Sequence, residues 1–270
     1  MGVTRRQRAL LVQGALYAVL AAAVVALALV ADWPVIKENF WNSGGISWAD
    51  GNWGDLITIG IVNTVKYTAI AFAGGLALGL VLALMRLSPV APYRWLATAY
   101  IEFFRGLPAL VVMIFMSTGL PIAFGWTPPG GTVGAGLIGL VMVAGAYMAE
   151  TLRAGIQAVP KGQTEAARSL GMRPGATTVK VVLPQAFRIV IPPLTNEFVL
   201  LIKDTALLFL LGAAASEREL TSVAKDFLTS GPSAGTATSL IQAALLYLAI
   251  TLPLTQLVAW LERRQRKAVR

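Results

Sequence analysis

Long runs without charge dominate the chain, and their lengths predict how often it crosses a membrane. Ala9–Ala31 is 23 residues without a charge, preceded by Arg5, Arg6 and Arg8. A second apolar stretch runs from about Leu56 to Met85 and is charge-free from Tyr67 onward. Gly106–Ala149 holds 44 uncharged residues, too many for one span of about 20. Thr127-Pro128-Pro129-Gly130-Gly131 breaks that run with strong turn residues. A third span therefore ends near Phe124 and a fourth begins near Val133. Phe187–Leu211 is apolar with Glu197, Lys203 and Asp204 inside it, and gives a fifth. A sixth covers about Thr236–Leu261, after the loop-like Gly231-Pro232-Ser233. The pattern predicts an all-α integral membrane protein with six transmembrane helices.

The charges then fix an orientation. With the N-terminus inside, the inner pieces are residues 1–8, 86–95, 151–188 and 262–270, and they hold 16 Lys/Arg and two acids. The outer pieces 32–55, 125–132 and 212–235 hold three Lys/Arg and seven acids. Such a bias is the positive-inside signature, with both termini cytoplasmic. It also explains the net charge of +9 without nucleic acid, because the basic residues are spread over four short segments. The positive start, apolar run and Ala26-Leu27-Ala28 resemble a secretory signal, but the run of 23 exceeds the usual 7–15, so an uncleaved anchor is expected. Trp33, Trp41, Trp48 and Trp53 fall in the outer loop and suit the membrane–water boundary.

Composition narrows the chemistry. At 56% hydrophobic and 13% charged residues, the chain cannot cover a soluble globule. It has no Cys and no His, which removes disulfides, thiolate metal sites and imidazole catalysis. No catalytic or metal-binding residues are expected. Gly134-Ala135-Gly136-Leu137-Ile138-Gly139 matches a dinucleotide fingerprint in letters only. It opens a membrane span, where small residues serve helix packing, as do Gly75 and Gly79. There is no phosphate-binding P-loop.

Segment 151–188 is much longer than a connection requires. Thr164 can cap a short helix through Glu165-Ala166-Ala167-Arg168-Ser169-Leu170, with Gly171 supplying a left-handed end. Under two turns long, it needs support from elsewhere, and its two alanines would admit a close protein surface. Glu165-Ala166-Ala167, three residues, Gly171, nine residues and Val181-Val182-Leu183-Pro184 resemble the EAA loop of ATP-binding-cassette importer permeases. Val181 replaces the family's isoleucine. Gly145-Ala146-Tyr147-Met148-Ala149-Glu150, Leu183-Pro184-Gln185-Ala186, Leu201-Ile202-Lys203-Asp204-Thr205 and Tyr100-Ile101-Glu102-Phe103-Phe104-Arg105-Gly106-Leu107-Pro108 look like the branch that carries polar amino acids.

The resemblance covers about residues 56–262. It implies a five-helix permease core, preceded by an extra N-terminal span and Trp-rich loop (residues 1–55) and followed by a basic cytoplasmic tail (263–270). It further implies a coupling helix at about Thr164–Met172, in which Glu165, Ala166, Ala167 and Gly171 meet a partner ATPase dimer that binds ATP-Mg. A second permease subunit and an extracytoplasmic solute-binding protein complete the implied assembly in the lipid bilayer of a bacterial cell membrane. The chain itself would need no cofactor. Glutamate, glutamine or aspartate is the expected cargo. An ion- or proton-coupled secondary transporter is the alternative, with broken helices and inverted repeats as its usual signs.

Ionisable residues at bilayer depth cost at least about 2.5–3.5 kcal/mol and mark function. Lys66 can snorkel outward. Glu102 and Arg105 share a helix face and are expected to pair, as are Glu150 and Arg153. Pro192-Pro193 is expected to interrupt the fifth span. Asn196 and Lys203 fall on one face beyond it, near Glu197 and Asp204. With Glu102 and Arg105, these four are the candidate pathway residues. They either meet the carboxylate and ammonium of an amino acid or neutralise one another.

Overall fold

Each apolar run becomes helix in the computed structural model, which describes residues 5–34, 36, 52–126, 128–231 and 233–268. The first, α1 (Arg5–Val30), has no buried residue over its described side chains, Leu10–Val30. Trp41, Trp48 and most of the outer loop lie outside the described residues. The second span, α2 (Trp53–Leu87), begins with a wide turn over Leu56–Ile61 before becoming regular.

The third span is not one straight helix from Gly106 onward. Helix α3 (Ala91–Gly106) and helix α4 (Ala109–Phe124) meet at 105°. The cause is local: Leu107 precedes Pro108, which disfavours helical backbone before it, and both residues are extended. The fourth span, α5 (Gly131–Gln157), starts at Gly130 and Gly131, both with positive φ, as the turn residues predicted.

Segment 151–188 is mostly helix rather than loop. Helix α5 reaches Gln157, a short helix α6 covers Lys161–Ser169, and α7 (Pro174–Leu210) starts well before the apolar run. Helix α6 starts three residues earlier than expected. Pro160, with extended backbone, stands at its N-cap, and Thr164 lies inside it and caps nothing. After the short helix α8 (Leu220–Thr229), α9 (Thr238–Ala268) absorbs most of the expected basic tail into its last turns.

Pro192 and Pro193 do not interrupt α7, which is continuous helix over Leu183–Asp204. Proline at 192 removes the amide that would bond the Arg188 carbonyl. Gln265 of α9 donates its side-chain amide to that carbonyl instead. A neighbouring helix thus supplies the lost partner, as membrane helices permit.

Helix α5 forms the centre. Its buried face, with Leu137, Leu140, Ala144 and Met148, joins Tyr67 and Ala71 of α2, Met113 of α4, and Val190 and Leu194 of α7 in one core. Small residues set the spacing. A Cβ on Gly75 would lie 2.9 Å from the Cβ of Ala144, and one on Gly79 3.0 Å from the Ala149 nitrogen. Gly139 would meet the Met113 backbone at 3.0 Å. Gly136 and Gly139 of the apparent fingerprint are packing residues, while Gly134 leaves room for the Pro129 carbonyl of the preceding turn.

A buried polar clasp ties the start of α2 to α8. Asn63 donates to the carbonyls of Ser216 and Arg218, each at 2.9 Å, and the Tyr67 hydroxyl donates to Glu217 at 2.8 Å. Thr64 accepts from the Leu220 amide at 3.1 Å. Glu219, 1% exposed, caps α8 by accepting from the amides of Thr221 and Ser222 and from the Ser222 and Tyr247 hydroxyls. Burial pushes its carboxyl above the ordinary range, against the downward pull of those hydrogen bonds. Glu219→Ala would leave the buried Ser222 amide and the half-buried Thr221 amide without their acceptor, at about 1–3 kcal/mol for the buried one. Its melting temperature in detergent should fall clearly below that of the unaltered chain, while Lys225→Ala on the same helix should change little.

Candidate functional site

Helix α6 ends in a complete Schellman arrangement. The Met172 amide donates to the Ala167 carbonyl at 3.1 Å, and the Gly171 amide donates to Arg168 at 3.0 Å. Gly171 has φ +80, the left-handed geometry that glycine adopts without strain. Nothing lies within 4 Å of where its Cβ would be, so backbone conformation alone demands glycine there. Glu165 and Ala166 are exposed, whereas Ala167 is 5% exposed and turned into its own chain. Only one of the two alanines is therefore free to meet another surface. The support that the short helix needs comes from the start of α7. Helix α6 packs against residues 174–182, and Gln185 donates to the Gln163 side chain at 3.4 Å. Helix α6 and the start of α7 are thus in direct contact.

Helix α7 carries the candidate pathway residues. Glu197 and Asp204 are two turns apart and both line a cavity of 390 Å³ between α5 and α7. Tyr147 and Leu140 of α5 form one wall, and Leu107 and Pro108 at the α3–α4 bend form another. Asn196 and Lys203 do fall on one face, but it is the exposed face next to the cavity, not the cavity itself. The spacing of seven that selected Asn196 and Lys203 applies equally to Glu197 and Asp204. Their grouping was available from sequence; which pair faced inward was not. None of the ion pairs among the described residues includes Glu197, Lys203 or Asp204. Within 4 Å, no ion pair joins these residues to one another or to Glu102 and Arg105 among the described residues.

Glu102 and Arg105 also do not pair with each other. Arg86, at the end of α2, lies 2.6 Å from Glu150 and 3.4 Å from Glu102. Arg153 pairs with Glu150, as its i, i+3 spacing predicted. The Arg105 guanidinium instead sits 5.6 Å from the centre of the Tyr147 ring. Tertiary packing decides this, because it brings the end of α2 against α3 and α5. Arg86 is a residue that sequence reasoning missed; its position directly after the apolar run of α2 was the available signal. Lys66 is exposed and lies 5.9 Å from the Tyr67 ring.

No clustered metal ligands occur among the described residues. A bundle of long apolar helices with a short helix packed at the start of α7 and a cavity lined by two carboxylates is the architecture of a membrane transport subunit. Residues 75–267 match the family described as binding-protein-dependent transport system inner membrane component, and the chain belongs to that family. It is 39% identical over 209 residues to the probable glutamine ABC transporter permease protein GlnM of Bacillus subtilis (strain 168), covering 77% of this chain and 93% of that one. It is 34% identical to the glutamate/aspartate import permease protein GltK of Escherichia coli O157:H7 over 76% of this chain and 91% of that one. A crystal structure of an amino acid ABC transporter with histidines superposes with a TM-score of 0.70 and 36% identity, over 78% of this chain and 95% of that one. The chain is thus a permease subunit of an amino acid ATP-binding-cassette importer. The lone secondary transporter is set aside.

Proposed function

We propose that this chain forms half of an alternating-access pathway and takes its energy from a partner ATPase dimer through α6. The observation that carries this reading is the continuous link from the Gly171-capped helix, through residues 174–182, to the Glu197–Asp204 face of α7. ATP-Mg would close the ATPase dimer against Glu165 and Ala166. Helix α7 would follow, and the cavity would open outward to a loaded solute-binding protein. A second permease chain, identical or similar, would cover the exposed Asn196–Lys203 face. Both termini would lie in the cytoplasm of a bacterial cell.

The cavity also bears on the cargo. Two carboxylates line it with no cation among them. They suit an ammonium group and repel a net anionic substrate. Within the expected set this favours glutamine over glutamate and aspartate, and it extends the candidates to basic amino acids. The glutamine and glutamate/aspartate names of the two relatives leave both directions open.

The test uses the importer reconstituted with its ATPase and binding protein. Gly171→Val should keep ATP hydrolysis but lose most amino acid uptake, because valine resists the left-handed conformation by roughly 1–2 kcal/mol. Gly171→Asn, which tolerates that conformation, should retain most uptake. Equal uptake by the valine variant and the unaltered chain would remove α6 as the coupling element.

A further inference from the structure

A second charged cavity lies between the inner ends of α7 and α9. It has a volume of 520 Å³ and is lined by Arg188, Ile191, Leu261, Arg264 and Gln265. That is within the range of small-molecule sites, roughly 300–1,000 Å³. None of these residues belongs to the coupling helix or to the acidic cavity.

Its construction follows from the proline pair. Pro192 strips the Arg188 carbonyl of its helical partner, and Gln265 reaches across to it from α9. This contact joins the two helices at the depth of Arg188 and Arg264. Neither arginine belongs to an ion pair among the described residues, and no carboxylate lines the cavity. The Arg264 guanidinium lies 5.3 Å from the centre of the Trp260 ring, an aromatic type favoured at the membrane boundary. Ile191 follows Arg188 by one turn and Leu261 precedes Arg264 by one turn. On antiparallel helices, both apolar residues are thus deeper in the bilayer than the arginines.

A cationic rim above an apolar wall matches one ligand chemistry, a phosphodiester with hydrocarbon attached. We propose that this cavity holds the headgroup of an anionic phospholipid of the inner leaflet. Arg188 and Arg264 bind the phosphate, and Ile191 and Leu261 contact the first methylenes of the acyl chains. Basic pockets between membrane helices on the cytoplasmic side recognise such headgroups. The choice of leaflet rests on the proposed orientation with the C-terminus inside.

The test takes the full-length chain, extracted with whatever subunits accompany it. It is exchanged into nanodiscs of phosphatidylglycerol and phosphatidylcholine in fixed proportion, and retained lipid is counted by native mass spectrometry. The unaltered chain should retain phosphatidylglycerol in preference. Arg188→Gln with Arg264→Gln should weaken that preference about thirty-fold, and Arg264→Gln alone about fivefold, if each arginine acts as a surface cation beside anionic lipid. Lysine at both positions should keep most of it. The single variant reads the same preference should the double variant fail to reach the membrane. Undiminished preference in the glutamine variants would overturn the proposal. So would displacement by added inorganic phosphate, which would mark a free-anion site. Loss of an accompanying subunit with unchanged lipid would mark a protein contact and overturn it equally. Absence of any ATPase from the preparation would instead count against the proposed coupling to an ATPase dimer and leave the lipid measurement standing.

Discussion

Valine in place of Gly79 should prevent the permease from accumulating in the membrane as a stable chain. Even the first carbon of a side chain there would lie 2.9 Å from the Met148 Cβ, 3.0 Å from the Ala149 nitrogen and 3.0 Å from the Gly145 carbonyl oxygen. Two of those atoms are backbone of α5, so no rotamer change can make room. Helices α2 and α5 must separate instead, and α5 is the centre of the core that also gathers α4 and α7. Overpacking costs about 1–3 kcal/mol where neighbours can adjust and more where they cannot. In lipid, close packing is itself the main attraction between helices, so little else compensates. Gly74→Ala is the internal comparison. There the nearest atoms to a Cβ would be the Val141 methyls, at 2.8 and 3.1 Å, side chain rather than backbone. Membrane yield and melting temperature should therefore collapse for Gly79→Val and decline modestly for Gly74→Ala. Equal behaviour of the two would show that α2 and α5 do not pack at Gly79.

The second large effect concerns the acidic cavity. Glu197→Gln combined with Asp204→Asn should reduce the apparent affinity of transport by about tenfold to a hundredfold, the worth of one charged hydrogen bond at about 1.5–3 kcal/mol. Melting temperature should hold or rise. Both carboxylates lie at bilayer depth with no cation within 4 Å in the described chain, so neutralising them removes a desolvation cost. Basal ATP hydrolysis should persist, and its stimulation by a loaded binding protein should become less sensitive to the amino acid. Lys203→Met, on the exposed neighbouring face, separates the two readings of this charge group. A structural Lys203–Asp204 pair would make that variant melt lower and the Asp204→Asn change restore it. Full transport by the Glu197/Asp204 double variant would end the case for this cavity as the substrate route.

Residue type and spacing alone made several features legible. The lengths of uncharged runs located the spans, because hydrocarbon of fixed thickness demands a fixed number of apolar residues. Gly171 announced a left-handed helix end, because few other residues adopt φ +80 without strain. The EAA spacing pointed to the family to which the chain belongs. The 105° bend was legible in principle, since Leu107 before Pro108 is a strictly local constraint.

Partner choice was not legible. Glu102 and Arg105 have the right spacing to pair, yet Arg86 and Tyr147 take them, because only the packing of α2 and α5 beside α3 places those groups within reach. Likewise, Asn196–Lys203 and Glu197–Asp204 have the same period, and only the rotation of α7 against α5 decided which pair lines the cavity. Pro192 reads as a break in any isolated helix; α7 is nevertheless whole, and Gln265, 77 residues after Arg188, donates to the carbonyl that Pro192 leaves without its helical partner. The sequence determined spans, caps and bends, which depend on interactions within a few residues. Tertiary structure decided which polar groups meet, because those contacts depend on how separate helices rotate and approach.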